Sequence, residues 1–241
     1  MRFMNTLDAR IDNGARIARW KTAMDYAIGI PLAIFCLPLM IAVFALVRIN
    51  IGSPVIFRQK RPGLYCREFT LYKFRTMNDE RNADGELLPD AERLTGLGRF
   101  LRSTSLDELP ELVNVLNGNM SLVGPRPLLV KYLPYYTKRE MLRHSMRPGI
   151  TGWAQINGRN NLAWDERLAM DVWYVENCNP FLDFMILMKT LSKVLRRDGV
   201  SADTALIETN LDEERLAKAA RNEAYMGASK NPLKPRWPRW K

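Results

Sequence analysis

The pattern of apolar positions is dominated by one long uncharged segment near the start of the chain. Residues 26–47, YAIGIPLAIFCLPLMIAVFALV, contain no charged side chain. As a straight helix at about 1.5 Å per residue, a segment of this length reaches roughly 33 Å, enough for the hydrocarbon core of a bilayer. It follows some two dozen residues and lacks a small-residue cleavage site, which is not typical of a signal peptide. A buried core helix is the alternative, and we interpret the segment as membrane-embedded.

Basic residues on both sides of this segment predict its topology. They are Arg2, Arg10, Arg16, Arg19 and Lys21 before it, and Arg48, Arg58, Lys60, Arg61, Arg67, Lys73 and Arg75 after it. The positive-inside rule keeps basic flanks in the cytoplasm, which a single spanning helix cannot satisfy for both. Because Pro31 and Pro38 each remove an intrahelical hydrogen bond, we predict a re-entrant helix that enters and leaves by one face. A kinked single span is the alternative.

The periodicity of the remaining chain predicts a mixed α/β fold in which helices predominate. Short extended pieces surround a Pro62–Gly63 turn, and a polar loop follows over residues 78–90. The predicted helices lie near residues 90–102, 105–117, 132–144, 163–176 and 181–197. The last of these is amphipathic, and either lines the core or lies on a membrane interface. A further helix is predicted to begin after Asn210.

Charge and cysteine content narrow the classes of partner and site. Thirty-six Lys and Arg against 26 Asp and Glu give a net charge of +10, so we expect a polyanionic partner: nucleic acid, nucleotide phosphates or anionic lipid. Cys36, Cys66 and Cys178 show no CxxC spacing, and His144 is the single histidine. This content excludes a disulfide framework and a Cys/His metal cluster, and it indicates a reducing compartment.

The segment RSTSLDELP at residues 102–110 carries an acidic pair with two interpretations. Ser105 and Glu108 have capping-box spacing, so Asp107 and Glu108 could simply decorate a helix N-terminus. Pro110 as the first helical residue would instead leave both carboxylates just outside the helix. In either case the positive helix end and nearby arginines would keep an Asp ionised, as a nucleophile or a Mg²⁺ ligand must be.

Two further segments combine rigid or small residues with basic ones. In GPRP the flanking prolines restrict Arg126, and a guanidinium held in a narrow range of directions suits a phosphate; an ordinary tight turn is the alternative. Residues 147–160 combine three glycines with polar, basic and aromatic side chains that could accommodate a nucleotide, and a structured loop is the alternative. The side chains in question are Arg147, Trp153, Gln155, Asn157 and Arg159.

Several long motifs in one order identify a family resemblance. They are KFRTM, LTGLGRFLRSTSLDELPELVNVLNGNMSLVGPRPLL, RHSMRPGITGWAQINGRN and DVWYVEN. Together they closely resemble the bacterial sugar transferase family of monotopic phosphoglycosyl transferases, over roughly residues 20–200. The resemblance implies an enzyme of the bacterial inner (cytoplasmic) membrane, with its active site on the cytoplasmic face. It implies transfer of a sugar 1-phosphate from a UDP-sugar to undecaprenyl phosphate, with release of UMP and use of Mg²⁺.

The resemblance also assigns roles to residues of this chain. It implies that Asp107 and Glu108 form the catalytic pair and ligate Mg²⁺, with Asp107 as the nucleophile, and that the re-entrant helix breaks at Pro38. Leu37 stands where family members commonly have Ser before that proline. The other expected site residues are Arg126, Lys73 and Arg75 for the substrate phosphates, and Arg147, Gln155, Asn157 and Arg159 for the nucleotide or sugar.

The resulting domain organisation has four parts. They are an N-terminal interfacial segment at 1–25, the re-entrant membrane helix at 26–47, a cytoplasmic catalytic domain at 48–207, and a C-terminal helix with a basic and aromatic tail at 208–241. The tail, ending KNPLKPRWPRWK, suits an anionic headgroup layer or is simply solvated. Being short, the chain looks most similar to family members that begin protein N-glycosylation with diacetylated bacillosamine phosphate.

The expected partners are the UDP-sugar, undecaprenyl phosphate and membrane phospholipids, and no nucleic acid is expected. The rival interpretation is a non-enzymatic, membrane-anchored module that binds polyanions. The net charge of +10 and the basic tail favour that module. The acidic pair Asp107 and Glu108 has no role in it.

Overall fold

A computed structural model describes residues 2–158, 163–196 and 210–226. The chain divides into two compact units, Met1–Leu206 and Ile207–Lys241. The second unit contains helix α8, Leu211–Met226, which confirms the helix predicted after Asn210. The Asn210 side chain donates a hydrogen bond to Glu213 in the first turn of this helix, at 2.9 Å. The predicted basic and aromatic tail at 230–241 lies outside the described residues.

The first unit begins with one long helix. Helix α1, Arg2–Asn50, runs for 49 residues without interruption through Pro31 and Pro38. The segments predicted at 1–25 and 26–47 therefore belong to the same helix. Its part from Arg19 to Asn50 is long and apolar enough to cross a membrane, judged by length and composition. A re-entrant bend at Pro38 stays a prediction.

Helix α1 packs against the rest of the first unit along one face. Val43 and Val47 are buried against Val55, Phe74 and Leu101, and Ile28, Ala33 and Cys36 pack on the main core. The opposite face is apolar and exposed, and includes Ile34, Phe35, Leu37, Ile41 and Ile49. An apolar face of this length, without protein cover in the described residues, is typical of a membrane contact.

Two small sheets accompany the helices. Strands β1, Ile56–Pro62, and β2, Glu68–Phe74, form an antiparallel hairpin, which confirms the extended pieces predicted around Pro62 and Gly63. Strands β3, Ser121–Val123, and β4, Gly149–Thr151, pair in parallel. These two strands are three residues long, too short for a period of two to reveal them in the sequence.

The remaining helices of the first unit are α2 to α7. Their bounds are Asp90–Arg93, Gly96–Ser103, Glu111–Leu116, Trp153–Asn157, Trp164–Asn177 and Pro180–Arg196. Helices α6 and α7 confirm the predictions near 163–176 and 181–197. The predicted helix 90–102 is divided into α2 and α3 at Thr95, because the Thr95 hydroxyl accepts a hydrogen bond from the Gly98 amide and caps α3.

The helix predicted over residues 132–144 was wrong. The chain forms two 3₁₀ turns there, Val130–Tyr135 and Glu140–His144. Pro134 cannot donate a backbone hydrogen bond inside a regular α-helix. Thr137 and Glu140 then exchange reciprocal hydrogen bonds between side chain and backbone, which begins a new turn instead of continuing the first.

Close approach of α3 to the end of β2 requires glycine at position 98. A β-carbon on Gly98 would lie 1.9 Å from the Thr76 carbonyl oxygen, whereas one on Gly96 would have no atom within 4 Å. We expect Gly98→Ala to lower the free energy of unfolding by about 1–3 kcal/mol. Thermal unfolding in detergent measures this, with Gly96→Ala as the matched control that leaves the midpoint nearly unchanged. Equal midpoints for the two variants would contradict the close approach.

Candidate active site

Asp107 and Glu108, which we call the carboxylate pair, lie in a 3₁₀ turn at Leu106–Glu108. Ser105 has a left-handed backbone (φ 56°) and its side chain makes no capping hydrogen bond, so the capping-box interpretation is wrong. Pro110 lies at the N-cap of α4 instead, and the helix begins at Glu111. Both carboxylates therefore lie just outside a helix N-terminus, as the interpretation based on Pro110 predicted.

The neighbours of the carboxylate pair connect it to the apolar helix. Leu106 and Leu109 pack against the cluster that contains Val43 and Val47 of α1. The 3₁₀ turn and the last turns of the apolar segment thus pack on the same apolar cluster. The carboxylate pair is thereby brought close to the part of the molecule that is suited to a membrane.

Glu108 accepts two charge-assisted hydrogen bonds on a single oxygen. Its Oε1 lies 2.6 Å from the Lys73 Nζ and 2.7 Å from an Arg126 Nη2. Burial alone would raise the pKa of Glu108, but the charges of Arg126 and Lys73 outweigh it and lower that pKa below its usual range. Glu108 is therefore ionised and held in a fixed orientation.

Asp107 is buried, but its carboxylate lacks the polar partners that Glu108 has. It is 8% exposed, and its carboxylate has no hydrogen bond or ion pair within the part of the chain that the structure describes. Burial, and then the charge of Glu108, raise the pKa of Asp107 to about 6. At neutral pH this carboxylate is still mostly ionised, and its oxygens are not committed to other groups. Such a group can attack an electrophile or ligate a cation.

Lys73 joins the carboxylate pair to a third acid that the sequence analysis missed. Its Nζ lies 3.1 Å from Glu111, which is 2% exposed. Burial raises the pKa of Glu111 to about 7, against the opposing charge of Lys73. No local pattern indicates this contact, because Lys73 and Glu111 belong to different elements.

Helix α4 is attached to the strand that carries Lys73. The Asn114 side chain donates to the Thr70 carbonyl (2.7 Å) and accepts from the Tyr72 amide (3.1 Å). Because Asn114 is fully buried, these bonds are protected from competition with water. They fix β2 relative to α4, and so place Lys73 between Glu108 and Glu111.

The structure brings Arg126 to the carboxylate pair, and its predicted phosphate-binding role stays a prediction. Its side chain is 42% exposed, so part of the guanidinium faces outward while Nη2 bonds Glu108. The surrounding GPRP segment lies so close to β4 that a β-carbon on Gly149 would be 2.0 Å from the Gly124 amide nitrogen. The free edge of the Arg126 guanidinium is suited to a phosphate oxygen.

Arg75 is placed differently from Lys73, although both belong to the KFRTM motif. Its Nε donates to the Met77 carbonyl (2.8 Å), its Nη1 donates to the Ser53 carbonyl (3.1 Å), and its Nη2 pairs with Asp79. The guanidinium of Arg75 thus joins the loop that contains Ser53 to the loop that contains Met77 and Asp79. The structure does not bring this side chain to the carboxylate pair, and its role in phosphate binding stays a prediction.

The residues predicted to bind the nucleotide or sugar make contacts elsewhere. Arg147 pairs with Asp25 of α1 at 2.9 Å. The Gln155 amide donates to the Ile150 carbonyl, and Asn157 donates back within α5. No contact joins these three side chains to the carboxylate pair in the described residues, and Arg159 lies outside them. Their nucleotide or sugar role stays a prediction.

Comparison with known proteins identifies the family. The family model described as bacterial sugar transferase matches residues 16–197, most of the chain and all of the carboxylate pair, Lys73 and Arg126. The chain belongs to the bacterial sugar transferase family. This confirms the resemblance carried by the sequence motifs, and the members of this family are sugar-phosphate transferases.

Three relatives illustrate the range of similarity. The uncharacterized sugar transferase EpsL of Bacillus subtilis is 57% identical over 180 residues, which are 75% of this chain and 89% of that protein. The undecaprenyl-phosphate galactose phosphotransferase of Salmonella typhimurium is 41% identical over 197 residues, 74% of this chain. The UDP-glucose:undecaprenyl-phosphate glucose-1-phosphate transferase of Escherichia coli is 36% identical over 183 residues, 72% of this chain. The match spans 41% and 39% of the last two relatives.

The donor set of the carboxylate pair fits a magnesium ion that also binds a substrate. Mg²⁺ is commonly held by one or two carboxylates and completes its coordination with water and phosphate oxygens. Asp107 has uncommitted oxygens, and Glu108 uses one oxygen for both of its cationic partners. Among the described residues no group of three or more His, Cys, Asp or Glu side chains could hold a metal by itself. A metal at this pair would complete its coordination with water or with phosphate oxygens of a substrate.

Proposed function

We propose that this chain transfers a sugar 1-phosphate from a UDP-sugar to undecaprenyl phosphate and releases UMP. The names of the Salmonella and Escherichia coli relatives support this reaction class. The observation that carries the proposal is the uncommitted, buried Asp107 carboxylate beside Lys73 and Arg126. Because the two relatives' names specify galactose and glucose, we propose the class of donor and not its sugar.

The reaction has two displacements at the β-phosphorus of the donor. An Asp107 carboxylate oxygen bonds to this phosphorus, the bond to the oxygen that bridges the two phosphates breaks, and UMP leaves with that oxygen. A phosphate oxygen of undecaprenyl phosphate then attacks the same phosphorus and frees the Asp107 carboxylate. The covalent aspartyl phosphosugar lets both substrates use one site in turn.

Each neighbouring side chain has a role in this scheme. The outward edge of Arg126 binds phosphate oxygens and stabilises their charge in the transition state. Glu108 holds Arg126 and Lys73 in place by accepting from both, and Glu111 holds Lys73 from the other side. A bound Mg²⁺ would supply positive charge that offsets the repulsion between a carboxylate and a diphosphate.

The acceptor requires an active site at the height of the lipid headgroups. The packing of Leu106 and Leu109 on the apolar cluster that also contains Val43 and Val47 of α1 supports this placement of the carboxylate pair. Helix α7 supports membrane contact with a second exposed apolar row, formed by Phe181, Phe184, Met188 and Leu191. We therefore propose phospholipids as partners, and the cytoplasmic face of the bacterial inner membrane as the location.

Contacts at both ends of the apolar segment support a location of both flanks on the same side of the membrane, which we propose is the cytoplasmic side. Lys21 is buried and donates to Tyr174 (2.8 Å) and Asp183, and Val47 is fully buried at the other end. Both ends of the segment therefore contact the same unit. A helix that spanned a bilayer would place its two ends on opposite sides of the membrane.

We expect single cysteines at residue 13 and at Ser53 to be shielded from an impermeant maleimide added to the periplasmic side of cells with a permeabilised outer membrane. Both should be labelled once the inner membrane is also opened. The three natural cysteines are first replaced, and retained UMP release verifies that background. Labelling of residue 13 from the periplasm would rule out the re-entrant topology.

The proposed reaction is tested with the full chain in nanodiscs that contain undecaprenyl phosphate and Mg²⁺. A panel of UDP-sugars is supplied, and UMP release is measured with and without the acceptor. We expect sustained release that depends on both the sugar and the acceptor. Salt-sensitive binding of nucleic acid without UMP release would favour the polyanion-binding module instead.

A further inference from the structure

The GPRP segment is held in place largely through its carbonyl oxygens. Pro125 and Pro127 have no backbone N–H, so this stretch offers few donors for a regular hydrogen-bond ladder. Three successive carbonyls have one donor each: Gly149 N to Pro125 O (3.0 Å), Arg143 Nη2 to Arg126 O (2.6 Å) and Arg61 Nη1 to Pro127 O (3.3 Å). Two arginine side chains thus replace backbone donors, one at the carbonyl of the phosphate-binding candidate Arg126 and one at the carbonyl of Pro127.

Arg143 is itself held rigidly by its neighbours. It is 2% exposed, and its Nε and Nη2 donate to one oxygen of Asp171, at 3.2 and 2.7 Å. Its Nη1 donates to the Tyr136 hydroxyl at 3.2 Å. Asp171 is 3% exposed and belongs to α6, a long helix that packs into the core through Leu168 and Val172. The guanidinium of Arg143 therefore has a single orientation.

Stability alone is a weak explanation for such a buried ion pair. Removing an arginine and an aspartate from water costs free energy, and apolar side chains of similar volume often serve a core equally well. What an apolar pair cannot provide is a hydrogen-bond donor at the Arg126 carbonyl. Arg126 in turn donates to Glu108 at 2.7 Å. Four charged residues thus form a continuous chain of contacts from α6 to the carboxylate pair.

We propose that Arg143 is a positioning residue for Arg126, and that Asp171 holds it in that role. By fixing the Arg126 carbonyl, Arg143 fixes the position from which the Arg126 side chain reaches Glu108 and the donor phosphates. This inference rests on the proposed function, because it assumes that Arg126 binds a phosphate during turnover.

Arg143→Lys tests the positioning role with retained charge. A lysine has one nitrogen and cannot hold Asp171, Tyr136 and the Arg126 carbonyl in the geometry of a planar fork. We expect the rate of UMP release to fall about 10²-fold, as it does when a reacting geometry is displaced by roughly 1 Å. The midpoint of thermal unfolding verifies that the variant is folded.

A double-mutant cycle separates positioning from a general structural effect. In an Arg126→Ala background, Arg143→Lys should change the residual rate less than about 3-fold, because the group that it positions is absent. A loss of about 10²-fold in both backgrounds would show that Arg143 acts independently of Arg126, and would overturn the proposal. Asp171→Asn is the second variant, with a smaller loss expected that also disappears in the Arg126→Ala background.

Amide hydrogen exchange tests the same inference without turnover. We expect Arg143→Lys to speed exchange of the Gly124 and Gly149 amides, which donate to the Thr151 and Pro125 carbonyls, because the GPRP segment loses a fixed contact. Arg139→Lys is the matched control, since Arg139 also reaches α6, through Glu176 at 3.4 Å, but its side chain is 75% exposed. It should alter neither exchange nor rate. Unchanged exchange in Arg143→Lys would overturn the proposal.

The two readouts distinguish the inference from the proposed function. If the wild-type chain releases no UMP from any UDP-sugar, the proposed function fails, and hydrogen exchange still decides whether Arg143 fixes the Arg126 backbone. If the wild type turns over and the cycle is additive, the positioning role fails and the proposed function stands.

Discussion

Asp107→Asn is expected to abolish UMP release, with a loss of at least about 10⁴-fold, while the protein remains folded. Asparagine keeps the shape of the side chain but lacks the anionic oxygen that bonds to phosphorus. The Asp107 carboxylate accepts no hydrogen bond in the described residues, so the substitution removes no stabilising contact there. Activity and stability are therefore expected to separate clearly at this position.

The intermediate itself is the decisive observation for Asp107. Wild-type protein incubated with a UDP-sugar and Mg²⁺, without acceptor, should gain the mass of one phosphosugar, and peptide mapping should place it on Asp107. Asp107→Asn should gain no mass. Glu92→Gln, which neutralises an exposed acid in α2, is the control and should behave as wild type. Normal turnover by Asp107→Asn, or label on another residue, would disprove the mechanism.

Arg126→Lys is expected to lower kcat/KM for the UDP-sugar by about 10²- to 10³-fold, the range seen when one transition-state hydrogen-bond donor is removed. The physical reason is the shape of the group, because a lysine ammonium retains the charge but not the two parallel donors of a guanidinium. Lys73 remains on Glu108 at 2.6 Å, so the acid keeps one of its two partners and stays ionised.

Steady-state kinetics with a range of donor concentrations measures the effect at Arg126. A fall in kcat/KM with a folded protein indicates lost stabilisation of the phosphate charge. Arg99→Lys, the same substitution at an exposed position of α3, is the matched control and should leave kcat and KM unchanged. Near-normal kinetics for Arg126→Lys would reject its assignment to a phosphate.

Local patterns predicted those parts of the fold that depend on neighbours in the chain. The apolar segment, the hairpin around Pro62 and Gly63, and helices α6 and α7 each carry a periodicity or a turn signal within one element. Pro110 offered two alternatives for the carboxylate pair, and the structure shows the one in which helix α4 begins after the pair. The choice depended on the left-handed Ser105 and on the packing of Leu106 and Leu109, which no local rule specifies.

Residues that act through distant contacts could not be found from the sequence in this way. Arg143 and Asp171 are 28 positions apart, and Arg126 and Glu108 are 18 apart. The type of a charged residue does not indicate whether its side chain is buried or exposed. Its burial and its ion-pair partner are therefore known only from the folded structure. The same reason explains why Arg75 and Lys73, two positions apart in one motif, make unrelated contacts.

By itself, the sequence determined an apolar helix with basic flanks, a helix-rich mixed fold, and the family to which the chain belongs, because these follow from composition, local periodicity and long contiguous motifs. The tertiary structure decided which charged groups meet: it brought Lys73, Glu108, Glu111 and Arg126 together and directed Arg75 and Arg147 to other partners. The physical reason is that the pairing of charges depends on distances across elements. Those distances are set by the packing of α1, α4 and the two small sheets, and not by spacing along the chain.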